Sequence, residues 1–306
     1  MLLSHKLGTV LLGLTLLRCG RVSCILGGWK ETESPWTLAT LFDNSGDFRD
    51  VLQHNWGGCG AVLVGDGSFA ITATHCSLDR IAAVRAGSRN KSGGGEVVNV
   101  VARYAHPKRR CGSSDIAILA LEKRVYTGEA MPLRYDSRRR DPPAGTRCLA
   151  AGWGGDDVEE TDLLEEVDLS PVSRKACEER WGQRLDDSKF CAGGGEKNIC
   201  QGDSGGPLAC DEGEGWLLAG VVSRGGFCSI YDSKPAFYMA VGRLSTWIKN
   251  YVPQMDEVRL VNSIGQSQQW SGQLEIGYPA GNDGRLEWTP VCYNTTSHEW
   301  RPRVAQ

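Results

Sequence analysis

Gly202-Asp203-Ser204-Gly205-Gly206-Pro207, bracketed by Cys200 and Cys210, sets one serine among residues that free the backbone around it. Glycines on either side of Ser204 let the chain turn so that N–H groups converge on a point where negative charge could develop. A serine hydroxyl is a weak nucleophile near neutral pH and needs a base to take its proton, and histidine titrates in the right range. Thr72-Ala73-Thr74-His75-Cys76 supplies a histidine and Ser114-Asp115-Ile116-Ala117-Ile118-Leu119 a carboxylate. A carboxylate buried against a histidine fixes its tautomer and stabilises the imidazolium. Singly, a histidine beside a cysteine is more often structural, and an aspartate before an apolar run is usually a turn or cap residue. The glycine-rich serine segment is what makes the three a constellation.

The rest of the chain bounds what can surround them. It has 306 residues with 41% hydrophobic and 23% charged, enough for a buried core and too mixed for a wholly disordered, collagenous or coiled-coil chain. A net charge of −3 argues against a dedicated nucleic-acid binder. Twelve cysteines are either disulfides of an oxidising compartment or metal ligands and thiols of a reducing one, and the lack of any CxxC pair weakens zinc. The N-terminus favours the first: Lys6 precedes an apolar run from Leu7 to Leu17, with small or polar residues after it, as in a secretory signal. That run is too short to span a bilayer, so no integral membrane segment is expected. Candidate cuts follow Gly20, Ser23 and Cys24, and the last would leave Ile25 as the new N-terminus. Asn90-Lys91-Ser92 and Asn294-Thr295-Thr296 fit glycosylation acceptors.

From about residue 25 to 240, short apolar runs alternate with Gly, Asp, Asn and Pro, which reads as all-β. Ala61 to Val64 and Ser68 to Thr72 flank Gly65-Asp66-Gly67, a hairpin signal. Other strands are expected at Ile81 to Ala86, Val97 to Arg103, Ile116 to Leu121, Arg147 to Ala151, Leu217 to Ser223 and Ala236 to Met239. Val241, Leu244, Ile248, Tyr251 and Val252 then recur at helical spacing, with Pro253 beyond. Asp156 to Asp168 holds eight acidic residues and no basic one, while Lys108-Arg109-Arg110 and Arg138-Arg139-Arg140 are basic. Such blocks are usually solvated loops, with steering of a charged partner as the alternative. Asp211-Glu212-Gly213-Glu214 reads as a hairpin tip, because it lacks the spread of oxygen ligands a calcium site needs. No metal or cofactor site is expected.

With these segments in His, Asp, Ser order, the chain resembles the secreted chymotrypsin-like (trypsin-fold) serine peptidases from Ile25 to about Val252. Ile25-Leu26-Gly27-Gly28, Pro35-Trp36, Cys59-Gly60, His106-Pro107, Gly152-Trp153-Gly154, Val222-Ser223 and Trp247-Ile248 extend the match. The resemblance implies two six-stranded antiparallel β-barrels, a C-terminal α-helix and an active site in the cleft between the barrels. It implies Ser204 as nucleophile, His75 as base then acid, Asp115 as orienting carboxylate, and the N–H groups of Gly202 and Ser204 as oxyanion hole. It pairs Cys59 with Cys76, Cys148 with Cys210, Cys177 with Cys191 and Cys200 with Cys228, leaving Cys19, Cys24, Cys111 and Cys292. Its partners would be protein or peptide substrates and protein inhibitors.

Two departures stand out. In the family a freed Ile25 ammonium would pair with Asp203, but Cys24, not a basic residue, precedes it; the expectation is that signal peptidase itself exposes Ile25. Among the substrate-binding positions Asn198, Ser223, Arg224, Gly225 and Ala236, Asn198 stands where trypsin-like members carry an acid, which argues against cleavage after Arg or Lys. Ala236 should narrow the pocket toward a neutral, medium-sized apolar or amide side chain, and Arg224 replaces a tryptophan, suiting acidic substrate residues. A catalytically silent homologue acting as a binding module is the alternative function. The expected organisation is a signal peptide at 1–24, a peptidase domain at 25–252 and a tail at 253–306. That tail resembles the opening of a scavenger receptor cysteine-rich domain through Val258 to Val261, Gly272 to Ile276 and Trp288 to Cys292, as a short partial module.

Overall fold

The computed structural model describes residues 25 to 253 apart from 26, 30–33, 44–53, 110–112, 126–128, 156–161, 214 and 226–233, and the strands of the tail. The expected signal peptide, Cys19, Cys24 and Cys111 lie outside the described residues. The first half forms a closed antiparallel barrel from β1 (Thr37–Asp43), β2 (His54–Val64), β3 (Phe69–Thr72), β4 (Ile81–Ala86), β5 (Glu96–Ala105) and β6 (Ala117–Leu121), in the order β1-β2-β3-β6-β5-β4. The hairpin read from Gly65-Asp66-Gly67 joins β2 to β3, pairing Val62 with Ile71 and Val64 with Phe69. Gly65 and Gly67 both take positive φ, and a Cβ on Gly67 would lie 2.4 Å from the Val125 carbonyl oxygen, so glycine is required there.

The second half holds β7 (Arg147–Gly152), β8 (Glu165–Leu169), β9 (Pro171–Val172), β10 (Lys189–Ala192), β11 (Pro207–Asp211), β12 (Trp216–Arg224) and β13 (Ala236–Ala240). They form a seven-stranded sheet in the order β8-β7-β11-β12-β13-β10-β9, one strand more than the six expected. The extra strand is the two-residue β9. Only Ser170 separates β8 from β9, so one continuous stretch of chain bonds β7 at one end of the sheet and β10 at the other. The two sheet ends are thus joined through a single residue, which makes the sheet barrel-like.

Two helices accompany the strands. α2 (Val241–Ile248) follows β13 directly and is the C-terminal helix of the apolar spacing. α1 (Arg174–Trp181) is marked only by its ends: the Ser173 hydroxyl accepts from Ala176 N at 3.2 Å, and Gly182 closes it in the left-handed region. Only Cys177 of α1 is buried, so it carries no apolar stripe.

Strand alternation sorts the core into layers. Ala61 and Leu63 of β2 point into the first barrel with Val84, Val98 and Leu119, while Val62 and Val64 point out of it. In β12, Ala219 and Val222 face the second sheet's interior with Phe190 and Tyr238. Leu218 and Val221 face outward, against Val62, Ile71, Met239 and Ile248. One apolar layer therefore belongs to both halves, with α2 contributing Val241, Leu244 and Ile248 to it. Burying each such Val, Leu or Ile contributes about 1.5–3 kcal/mol.

Beyond Pro253, β14 (Glu257–Val261), β15 (Ser267–Gln268), β16 (Gln273–Ala280), β17 (Arg285–Asn294) and β18 (Glu299–Pro302) form a five-stranded antiparallel sheet ordered β15-β14-β16-β17-β18. The side chains of Cys292 and Asn294 lie outside the described set. No helix among the described residues is long and apolar enough to cross a membrane.

Cys59 is bonded to Cys76, Cys148 to Cys210 and Cys177 to Cys191. Cys200 is also disulfide-bonded, while Cys228 lies outside the described residues. The charge blocks are not all solvated loops. Arg138 reaches both Asp136 and Glu212, and Arg140 reaches Glu212, so the acidic hairpin tip after β11 is an ion-pair partner. Within the acidic run, Glu165 and Glu166 are buried because β8 carries them into the second sheet.

Candidate active site

His75 lies on the turn after β3, tied down by the Cys59–Cys76 disulfide to the middle of β2. Its Nδ1 is 2.6 Å from Asp115 Oδ2, and its backbone N–H donates to Asp115 Oδ1 at 3.0 Å. The Thr74 hydroxyl donates to Oδ1 at 2.6 Å and the Ser223 hydroxyl, from β12 of the other half, to Oδ2 at 2.8 Å. Burial pushes the Asp115 carboxyl upward, but the hydrogen bond and charge of His75, with the Thr74 and Ser223 hydroxyls, outweigh it and hold it below the usual carboxylate range. Asp115 is therefore a committed anion aimed at the histidine ring.

The residue before it bears strain. Ser114 has φ 47°, uncommon for a non-glycine residue, and its N–H donates to the Ser188 hydroxyl at 3.0 Å. Ser188 belongs to the second half, so Asp115 is anchored by both halves at once.

Ser204 sits where four backbone hydrogen bonds lock a tight turn. Gly60 N donates to Ser204 O at 2.8 Å, Gly205 N to Val222 O at 2.8 Å, Gly206 N to Asp203 O at 2.9 Å, and Val222 N to Gly206 O at 3.0 Å. Gly202 and Gly205 adopt φ of 100° and 78°. A Cβ on Gly205 would lie 2.3 Å from Thr72 Oγ1 and 2.4 Å from Gly60 O, so no side chain fits. Among the described residues, neither Gly202 N–H nor Ser204 N–H has an acceptor.

Asp203, next to Ser204, is fully buried. Its Oδ1 accepts from Gly154 N at 2.8 Å and its Oδ2 from Cys200 N at 2.7 Å. A Cβ on Gly152 would stand 2.1 Å from Oδ1, so these glycines make room for the carboxylate. Burial, opposed by those two N–H groups and reinforced by the nearby Glu165 charge, pushes the Asp203 carboxyl up to about 7. Ile25 is also fully buried, but its N–H donates to Glu165 Oε2 at 2.9 Å. In the uncleaved chain Ile25 is therefore bonded to Glu165, not to Asp203 as the resemblance implies for a freed terminus. Trp29 pairs with Glu166 backbone to backbone and holds this segment against β8.

His75, Asp115 and Ser204 line one cavity of about 940 Å³, together with Ser223, Arg224 and Gly225. Asn198 and Ala236 are buried outside that lining. Both ends of the Asn198 amide are used: Nδ2 donates to Lys234 O at 2.9 Å and Oδ1 accepts from Ile199 N at 3.0 Å. Ile199 lines the cavity instead, and a Cβ on Gly225 would come within 2.8 Å of its Cδ1. Arg109, Trp181, Lys189 and Lys234 also line it. None of these five was legible as a site residue, because each reaches the cavity only through how its loop or strand folds over. Asn90 is half-buried, its Oδ1 accepting from Ser92 N at 2.8 Å.

Cys59, His75 and Cys76 are the group of possible metal ligands among the described residues, and their two sulfurs are spent in a disulfide.

The trypsin family profile matches residues 30 to 248. Kallikrein-5 of Homo sapiens is 31% identical over 229 residues, covering 71% of this chain and 72% of its own length. Transmembrane protease serine 9 of Rattus norvegicus is 32% identical over 305 residues, covering 90% of this chain, which spans only 27% of that relative's length. Two barrel-like sheets, a C-terminal helix and a profile match over more than half of the residues lead to one conclusion: the chain belongs to the trypsin family.

Proposed function

We propose that the protein is a secreted serine endopeptidase that cleaves peptide bonds through an acyl-enzyme. The observation that carries this is the 2.6 Å contact between His75 Nδ1 and Asp115 Oδ2, with Ser204 in the same cavity. Ser204 attacks the scissile carbonyl as His75 Nε2 takes its proton; the ring then gives that proton to the leaving amine. Asp115 stays ionised throughout, holding Nδ1–H and stabilising the imidazolium. The Gly202 and Ser204 N–H groups receive the oxyanion, and water releases the acyl group by the reverse path. Residues 25 to 252 are the domain that does this. Disulfides form and persist in oxidising compartments, which supports secretion, with Asn90 as a candidate glycan site. The tail's likeness to a scavenger receptor cysteine-rich opening is a separate proposal for a partial ligand-binding module.

A fluorophosphonate probe tests the reading, since it labels only an activated serine in a formed oxyanion hole. Labelling at Ser204 is the expected result, and failure to label protein with a freed Ile25 would favour the silent binding module. For the side chain entering the pocket, Ile199 in the lining beside Gly225 supports a neutral, medium-sized apolar or amide residue. In a positional peptide library, cleavage after Arg or Lys is expected to fall below cleavage after neutral residues. Strong cleavage after Arg would refute it.

A further inference from the structure

Four of the residues lining the catalytic cavity are cationic: Arg109, Lys189, Arg224 and Lys234. Among the described residues the only acid in that lining is Asp115, whose two oxygens are engaged by His75, Thr74 and Ser223. The chain as a whole is net negative, at −3, so the cleft has the opposite sign to the molecule. We propose that this cleft selects peptides bearing several acidic side chains just before the scissile bond. The inference rests on the endopeptidase reading and names the substrate class of that site.

The cations come from both walls. Arg109 lies on the connection between β5 and Asp115 in the first barrel, whereas Arg224 ends β12 in the second half, and both are exposed. β11 begins at Pro207, opposite Val221 of β12, so Arg224 lies past the end of β11, and among the described residues no strand pairs with it on that side. An extended peptide can add to such an edge through its backbone, leaving alternate side chains to be read by flanking groups. Farther along, Lys234 Nζ lies 4.9 Å from the centre of the Trp181 ring, and Lys189 Nζ lies 5.7 Å from that of Phe237. Those two rings lie 4.5 Å apart, tilted by 31°, so Trp181 meets the cavity with buried Phe237 behind it and an ammonium beside each ring. A substrate strand added at β12 would share one cavity with two guanidinium and two ammonium groups. One exposed ion pair is worth no more than about fivefold in binding. Several cations facing one groove add their fields and raise the local concentration of an acidic ligand further.

The test uses the full chain with Ile25 freed and pairs of fluorogenic peptides that differ only by Glu or Gln at the second, third and fourth positions before the cleaved bond. At about 0.01 M ionic strength, kcat/KM for the triple-Glu peptide should exceed that of the Gln peptide by roughly tenfold or more, and the ratio should collapse toward one at about 1 M, where screening acts within about 3 Å. Arg224→Glu combined with Arg109→Glu should invert the low-salt preference, read as the ratio of kcat/KM for the Glu and Gln peptides in one preparation so that any general loss of activity cancels. Equal rates for Glu and Gln peptides in a labelled enzyme would overturn the proposal and leave the endopeptidase reading standing. A preference that survives the double charge reversal would overturn it too. Absence of labelling in the unsubstituted protein would remove both.

Discussion

Ser204→Ala is expected to lower peptide hydrolysis by about a million-fold while leaving folding intact. The size follows from the proposed mechanism: with Ser204, His75 and Asp115 acting as a unit, removing the nucleophile would leave only what binding and the oxyanion donors provide, about 1000- to 10,000-fold over water. Folding should be spared because the turn around residue 204 is held by backbone bonds from Gly60, Gly205, Gly206 and Val222, none of which uses the serine hydroxyl. Active-site titration and thermal melting on the same preparation check both halves. Hydrolysis retained by purified Ser204→Ala protein would exclude this serine as the nucleophile.

Liberating Ile25 is the second large effect, expected to raise kcat/KM by about 100- to 1000-fold, the typical worth of one oxyanion donor. In the uncleaved chain Ile25 N–H is a neutral amide bonded to Glu165, and among the described residues Asp203 has two N–H groups, of Gly154 and Cys200, to offset its burial. Between the ordinary carboxylate value near 4 and about 7, folded Asp203 holds more protons than it does unfolded. Unfolding free energy therefore falls as pH rises through that window, by a few kcal/mol in order of magnitude, and stays low above it. A freed ammonium brings the missing positive charge, so Asp203 ionises at lower pH and the loss is removed. Cys24→Arg would give an added trypsin a basic residue to cut after. The melting temperature of cut protein should then exceed that of uncut protein by more at pH 8 than at pH 5. Asp203→Asn should abolish both this pH-dependent gap and the gain in rate, whereas a gap constant across pH would exclude Asp203 as its source.

The β2–β3 hairpin is legible in the sequence because Gly65-Asp66-Gly67, between two apolar runs, supplies the positive-φ positions a tight turn needs. It also exposed the His75, Asp115 and Ser204 segments, whose residue types are chemically specific. β1 was missed because Leu38, Ala39, Thr40 and Leu41 are all buried, which erases alternation. α1 was missed because a helix with one buried residue leaves only its caps to read. Glu165 lay in an acidic run whose sign suggested solvent, and only pairing of β8 with β7 shows why it is buried. Arg109 is visible as part of a basic block, but its place in the cavity with His75 and Ser204 depends on a loop whose path is set by tertiary packing.

The apolar layer shared by the two halves has a consequence for how the molecule comes apart. Val62 and Ile71 on one side, and Leu218, Val221 and Met239 on the other, lose their dry surroundings together if either half opens. Neither lip of the cleft can then melt alone without exposing the other's outer face. Heat should therefore destroy the two halves in one cooperative event, and the contacts of Asp115 with Ser223 and of Ser114 with Ser188, which straddle them, are lost at the same temperature as the core.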